Sequence, residues 1–234
     1  MRFLAVPALL GAVLLAGCVR EAHIAMPADV AAGTERIELT GMGGWQSGHF
    51  KLGSSEGRFT RRASQTRAGI GGAFVRNIGG GGFDVRGPEF GGGLAGTCGF
   101  HQTEVDAGIV VIPGARLAYG CEFDRDGLHL SGGLLLKEVP TSRSVLAGRT
   151  RAGEIQLGDL KLDIRPIHHM QGGGLPTGSP LGYAFDLEGR QIGAIDLNGP
   201  NKTVYAPRAA GPERDAVLTA AIALSIFWDP GDND

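Results

Sequence analysis

The last stretch of the chain, from Ala216 to Trp228, is apolar on every side of the helix that it would form. Pro212 suits the first turn of such a helix, and the acidic residues beside it suit the positive end of the helix dipole. A helix without a polar face is buried all round or lies in a membrane. A run of this length rises only about 20 Å, whereas the apolar core of a bilayer is about 30 Å thick. The pattern therefore predicts a helix over 212–228 that the rest of the chain surrounds.

Before this helix the chain is a series of short extended runs separated by turn residues. Apolar and polar residues alternate clearly in Tyr183–Leu187, and the dipeptides Asp126-Gly127 and Glu188-Gly189 are typical of hairpin turns. Strands at this spacing, about twelve in all, favour an antiparallel barrel or sandwich. We therefore expect one mainly β domain over 34–234, with a barrel-like sheet around the buried C-terminal helix.

Glycine is in excess, with 41 glycines among 234 residues, where about 7% is usual. The absence of a Gly-X-Y period excludes collagen, and a hydrophobic share of 42% excludes a disordered chain. The net charge of -2 predicts no overall electrostatic attraction to nucleic acid or to an acidic membrane. Glycine is expected where strands approach a central helix closely, whereas the runs Gly79–Gly82, Gly91–Gly93 and Gly172–Gly174 are expected to be loops.

The end of the chain resembles the tubby-like superfamily, which includes tubby C-terminal domains, LURP-one proteins and phospholipid scramblases. The similar features are the hairpin over 183–196, a short strand after it, and Glu213-Arg214-Asp215 before the apolar helix. The similarity is one of pattern, and the rest of the chain matches only by strand count. It implies a closed barrel of about twelve antiparallel strands threaded by the C-terminal helix. No residues match a phosphoinositide site or a scramblase calcium segment, so neither is carried over.

The N-terminus is typical of an export signal, because Arg2 precedes an apolar stretch that is too short to span a membrane. The stretch ends in Leu15-Ala16-Gly17-Cys18, which resembles the lipobox of bacterial lipoproteins in all four positions. The resemblance implies cleavage before Cys18, with lipid on its thiol and on the new amino terminus. We therefore expect 1–17 to be a signal peptide and 18–33, which lacks periodicity, to be a tether.

Lipid at Cys18 would make a membrane the first partner of the protein, because several acyl chains anchor a chain stably. The next residue, Val19, is not Asp, which by family analogy favours the outer membrane. The expected location is therefore the cell envelope, at the outer membrane and facing the periplasm.

Cys98 and Cys121 are the only other cysteines, and an exported chain folds in an oxidising compartment. A hairpin that sets Glu104 opposite Ala115 also sets the two cysteines opposite each other and favours a disulfide. A turn at Pro113-Gly114 would instead separate them and leave two buried thiols.

A basic cluster occurs in and just after one predicted strand. Because arginine chelates phosphate through two donors, these residues are candidates for contact with anionic lipid. A solvated strand face is the alternative. The cluster consists of Arg58, Arg61, Arg62 and Arg67.

No motif predicts catalysis, a metal or a cofactor. Gly53-Ser54-Ser55-Glu56-Gly57 matches the G-x-S-x-G string of hydrolases, but that elbow needs a helix after it and here an alternating run follows. His168 and His169 would point to opposite faces of a strand, which disfavours a shared ion. Gly79–Gly82 is not followed by the Gly-Lys-Ser/Thr of a phosphate loop.

These observations favour a non-enzymatic envelope lipoprotein, either an interaction and assembly component or a surface binder of lipid-like ligands. One alternative is an exported hydrolase whose active-site residues meet only in space. Another is a carrier similar to lipocalins, with a hollow barrel and the apolar helix packed outside.

The lipobox generates the first testable prediction. Cys18→Ser removes the sulfur that accepts the lipid, so the variant should accumulate as an uncleaved precursor without label from radioactive palmitate. Palmitate labelling that survives the substitution would contradict the lipoprotein hypothesis.

Overall fold

The computed structural model describes residues 23–68, 74–106, 111–139 and 150–227, and one antiparallel sheet dominates it. The helices are α1 (Ala28–Gly33) and α2 (Pro212–Ile226), and a 3₁₀ turn covers Pro88–Phe90. The strands are β1 (Thr34–Thr40), β2 (Ser47–Leu52), β3 (Ser55–Ala68), β4 (Phe74–Gly87), β5 (Gly92–Asp106), β6 (Val111–Arg125), β7 (Leu128–His129), β8 (Gly132–Val139), β9 (Thr150–Leu157), β10 (Leu160–Ile167), β11 (Gly182–Leu187), β12 (Arg190–Asp196) and β13 (Lys202–Pro207).

The sheet closes on itself. Its order is β5-β4-β3-β2-β1-β13-β12-β11-β10-β9-β8-β6, and β5 also pairs with β6. The two-residue strand β7 only adds to the edge of β6. The described strands therefore form a closed antiparallel barrel of about twelve strands, which confirms the predicted fold class.

Helix α2 lies inside this barrel. Every residue from Ala216 to Ile226 is buried, and the helix contacts strands on several sides of the barrel, including β4, β9 and β13. The missing polar face follows from this position, because each side of the helix meets the inner face of a strand. The predicted buried helix is confirmed, although it ends at Ile226 and Trp228 lies outside the described residues. Among the described residues, no helix has the length and hydropathy needed to cross a bilayer.

One prediction about glycine was wrong. Gly79–Gly82 lies in the middle of β4 rather than in a loop, and Gly92 and Gly93 begin β5. The reason is steric, because a Cβ at Gly79 would collide with the ring of Phe100. Interior glycines thus leave room for aromatic rings that pack between the strands and α2. By contrast, Gly172–Gly174 does form a loop, with positive φ angles of 92°, 94° and 126°.

The β5–β6 pairing brings Cys98 directly opposite Cys121, and the two form a disulfide. The predicted bridge is therefore confirmed. Pro113 lies within β6, opposite Glu104, so it does not form the competing turn. Two register shifts between the disulfide and this pair displace Glu104 from the expected position opposite Ala115.

Part of the predicted tether is attached to the barrel. Residues 1–22, including the predicted signal and Cys18, lie outside the described residues. From residue 23 onward the chain packs on the barrel, with Ile24 and Val30 buried and with α1 following. Within the segment predicted as a tether, residues from His23 onward are thus held against the barrel, by backbone contacts such as the Ile24–Met170 bridge as well as by apolar packing.

The fold generates the second testable prediction. Ala221→Asp puts an unpaired carboxylate inside the barrel, which costs several kcal/mol against a total stability of about 5–15 kcal/mol. The variant should lose its resistance to protease. Ala32→Asp is the matched control, because Ala32 is an exposed alanine in α1 and the change should leave resistance intact. Full resistance of Ala221→Asp would show that this face of α2 is accessible to water.

Candidate functional site

The arginine cluster of β3 is divided between the two faces of the barrel wall. Arg58 and Arg62 are exposed on the outer face, whereas Arg61 points inward and is partly buried. The alternation of a strand causes this split, because neighbouring residues face opposite sides. The side chain of Arg67 lies outside the described part of the structure. The structure thus separates Arg61 from Arg58 and Arg62, and contact of the cluster with anionic lipid stays a prediction.

Arg61 caps the end of α2 instead. Its Nη2 donates to the carbonyl oxygen of Ser225 at 3.0 Å and to that of Met42 at 2.9 Å. Its guanidinium also lies over the Phe59 ring, 4.6 Å from the centroid. The last carbonyls of a helix have no partner within the helix and carry partial negative charge, so a cation here stabilises the helix end. Burial lowers the pKa of Arg61, but arginine stays protonated at any physiological pH.

A tyrosine assists at the same end of the helix. The hydroxyl of Tyr119, on β6, donates to the carbonyl oxygen of Ala223 at 2.7 Å. Burial raises the pKa of Tyr119 well above its ordinary value, so the hydroxyl keeps the proton that it donates.

The start of α2 is fixed by ion pairs. Arg214 donates to Glu35 at 2.9 Å and to Glu89 at 2.7 Å, and Arg125 donates to Asp215 at 2.7 Å. These contacts are structural, and sequence reasoning missed them because the partners of Arg214 are 179 and 125 residues away in the chain. The sequence contained one signal, namely charged residues beside an otherwise apolar helix.

The two ends of the barrel are named here after the residues of α2 that lie there, as the Pro212 end and the Phe227 end. Arg61 connects the β1–β2 loop to Ser225, so that loop belongs to the Phe227 end. Strand β13 runs towards the Pro212 end, where the Pro207 carbonyl accepts a hydrogen bond from Arg214. Antiparallel pairing therefore places the β10–β11 and β12–β13 loops at the Phe227 end.

An open groove of about 630 Å³ lies at the Phe227 end, lined by residues from both faces of β3 and β4, Arg61 among them. Trp45, Arg62 and Ile78 surround it, and Gly79 and Gly80 contribute backbone without side chains. We call it the Trp45 groove. Trp45 is 69% exposed and Ile78 is 43% exposed, so the groove combines apolar surface with an exposed cation.

A second shallow groove, of about 530 Å³, continues along the outer face of β2, β3 and β4. Arg58 lines it together with His49 and Asp84. Because Arg58 and Arg62 lie on the same face of β3, the two exposed arginines border neighbouring grooves. The outer pair of the predicted cluster thus shares one side of the barrel.

Exposed apolar side chains are concentrated at the Phe227 end. The described residues include four large hydrophobic side chains that are exposed, and three of these lie at or near this end. The three are Trp45, Ile78 and Leu175, and the fourth, Leu128, lies at the Pro212 end. Trp45 and Ile78 line one groove, whereas Leu175 lies in the separate β10–β11 loop.

The remaining candidates have local structural roles. Ser55 is fully buried at the start of β3, where its hydroxyl accepts a hydrogen bond from the Glu89 backbone at 3.1 Å. A strand rather than a helix follows it, so the geometry of a nucleophile elbow is not formed. The Nδ1 atom of His168 lies 2.9 Å from the carbonyl oxygen of Thr177. Within the described part of the chain, no three His, Cys, Asp or Glu residues gather as a metal site would require.

Comparisons with known proteins return no matches: no family model matches the chain, nor does any curated protein or solved structure.

The division of the arginine cluster between the two faces of β3 generates the third testable prediction. Arg61→Gln removes a charged donor from two buried carbonyls and should lower the free energy of unfolding by about 2–4 kcal/mol. Arg62→Gln changes an exposed side chain on the next residue and should lower it by less than about 0.5 kcal/mol. Urea denaturation measures both, and equal effects of the two substitutions would contradict the assignment of faces.

Proposed function

We propose that the protein is a non-enzymatic envelope lipoprotein, anchored through lipid on Cys18, whose barrel binds anionic lipid-like ligands on its outer surface. The Trp45 groove is the binding site in this proposal, with Arg62 as its cation. The observation that carries it is the position of an exposed tryptophan and an exposed isoleucine beside an exposed arginine.

The chemistry of these side chains fits the boundary between lipid and water. Tryptophan has an apolar ring with one polar group, and it is enriched where membrane meets water. An arginine guanidinium binds phosphate through two donors, and its stem covers apolar surface. A ligand with a phosphate headgroup and an acyl chain would contact Arg62 with the first part and Trp45 and Ile78 with the second.

The filled interior favours an outer site over an inner one. Helix α2 occupies the space that a carrier similar to lipocalins would need, and it packs inside rather than outside the strands. A ligand inside this barrel would have to displace side chains that are fully buried. The alternative of a hollow carrier therefore has no support in the arrangement of the described residues.

The resemblance to the tubby-like superfamily also favours contact with lipid, by analogy alone. Membership of that superfamily stays a prediction, and the binding proposal rests on the groove. An interaction or assembly role at the same surface is the related proposal if the ligand is a protein.

The groove generates the fourth testable prediction, measured with the unlipidated mature chain and vesicles of neutral or anionic phospholipid. The chain should bind anionic vesicles more tightly than neutral ones, and salt should weaken the binding. Trp45→Ala should weaken it by about 1–2 kcal/mol, because apolar contact is lost, which is a five- to thirtyfold change in Kd. Arg62→Gln should cost about 1 kcal/mol, because one cation near an anionic surface is removed.

Matched controls lie at the Pro212 end of the barrel. Leu128→Ala removes another exposed hydrophobic side chain, and Arg190→Gln removes another exposed arginine, so neither should change vesicle binding. Equal affinity for neutral and anionic vesicles would contradict the proposal of a lipid-like ligand and favour a protein partner. An equal loss of vesicle affinity in the control variants would have the same meaning.

A further inference from the structure

The N-terminal segment is fixed to the barrel very close to the proposed lipid anchor. Ile24 forms a β-bridge with Met170, and the backbone N–H of Gln171 donates to the carbonyl of His23 at 2.7 Å. The backbone N–H of Ile24 donates to the buried carboxylate of Asp196 at 3.1 Å. The chain is therefore held in place from His23 onward.

This attachment limits how far the barrel can stand from a membrane. Cys18 lies five residues before His23, and five extended residues span at most about 18 Å. His23 is attached at the Phe227 end, because its neighbours are Gln171 in the β10–β11 loop and Asp196 at the last position of β12. Lipid on Cys18 would hold this end of the barrel next to the bilayer.

The β10–β11 loop has the properties of a membrane contact. Gln171, in this loop, lies directly beside His23, and no Asp, Glu, Lys or Arg occurs from there to Leu181. Leu175 is 89% exposed, the largest exposed fraction among the large hydrophobic side chains of the described residues. Thr177 holds the base of the loop, because its backbone N–H and its hydroxyl donate to the His168 carbonyl at 2.8 Å and 3.1 Å.

We propose that the loop over 171–180 is a second membrane contact, with Leu175 entering the same bilayer that holds the lipid on Cys18. The barrel then stands on the membrane by its Phe227 end, and the Trp45 groove is brought to the level of the headgroups. This inference rests on the proposed function, since it needs the lipid anchor.

The physical reasons are the short connection and the composition of the loop. Leucine gains free energy when it leaves water, and a loop without charges has none to desolvate. The backbone groups of the loop still require partners, so its insertion stays in the interfacial region. The three glycines before Leu175 add no side chains of their own beside it.

A fluorescent probe on the lipidated protein tests the proposal. The introduced thiol of Leu175→Cys is free for labelling, because Cys98 and Cys121 form a disulfide and lipid occupies Cys18 in the anchored chain. The labelled protein is reconstituted into vesicles whose lipids carry a nitroxide quencher below the headgroup. Leu128→Cys is the matched control, because Leu128 is also an exposed leucine, 74% exposed, but lies at the Pro212 end.

The expected result is several-fold stronger quenching for Leu175→Cys than for Leu128→Cys, in protein that floats with the vesicles. If the protein floats and both variants are quenched equally, the proposed orientation is wrong, whereas the lipid anchor on Cys18 is still supported. Failure of the protein to float would overturn the lipid anchor, and the orientation would fall with it.

Discussion

At the carboxyl end of α2, carbonyl groups that have no partner within the helix point into a barrel interior occupied by side chains. Arg61 on β3 and Tyr119 on β6 reach these carbonyls from strands that only β4 and β5 separate in the wall. A buried polar group without a partner costs about 1–3 kcal/mol, a large share of a total stability of about 5–15 kcal/mol. Arg214 fixes the other end through two glutamates of the barrel. The helix is thus held at both ends, and the strands close around a core of fixed position.

This filled core determines where the protein can act. The interior is occupied by α2 and by aromatic rings, for which inward-facing glycines such as Gly79 leave space. The surfaces that remain for binding a ligand or partner are the outer wall and the two ends of the barrel. An exposed tryptophan, an exposed arginine, the β10–β11 loop and the attached N-terminal segment all lie at the Phe227 end. One end of the barrel therefore combines the features that a lipid-anchored protein would use at a membrane.

The sequence was informative where a pattern is local. The helix could be predicted because thirteen successive residues lack a polar side, and the hairpin turns because Asp126-Gly127 and Glu188-Gly189 adopt the positive φ angles that such dipeptides favour. The disulfide was predicted from the expected oxidising compartment and from the hairpin that sets the two cysteines opposite each other. Gly79–Gly82 was misplaced because glycine runs are common in loops. The ring of Phe100 on the neighbouring strand explains Gly79, and close backbone carbonyl oxygens explain the other three glycines.

Contacts between distant parts of the chain were beyond sequence reasoning. The alternation of β3 places Arg61 on the same face as the buried Phe59, and this part of its position could have been predicted from the sequence. The partner of Arg61 could not, because the Ser225 carbonyl is 164 residues away in the chain. The attachment of Ile24 to Asp196 spans 172 residues and has no local pattern. The Trp45 groove likewise depends on a loop meeting two strands, so its shape appears only in the folded chain.

Native-state hydrogen exchange of the α2 amides tests the central claim, the enclosure of this helix by the barrel, most directly. The account predicts that amides from Ala220 to Ile226 exchange only through global unfolding, as slowly as those of β12 and β13 and with the same dependence on denaturant. A helix packed on the outside would open by itself. Exchange of α2 at low denaturant, before the strands exchange, would contradict the account.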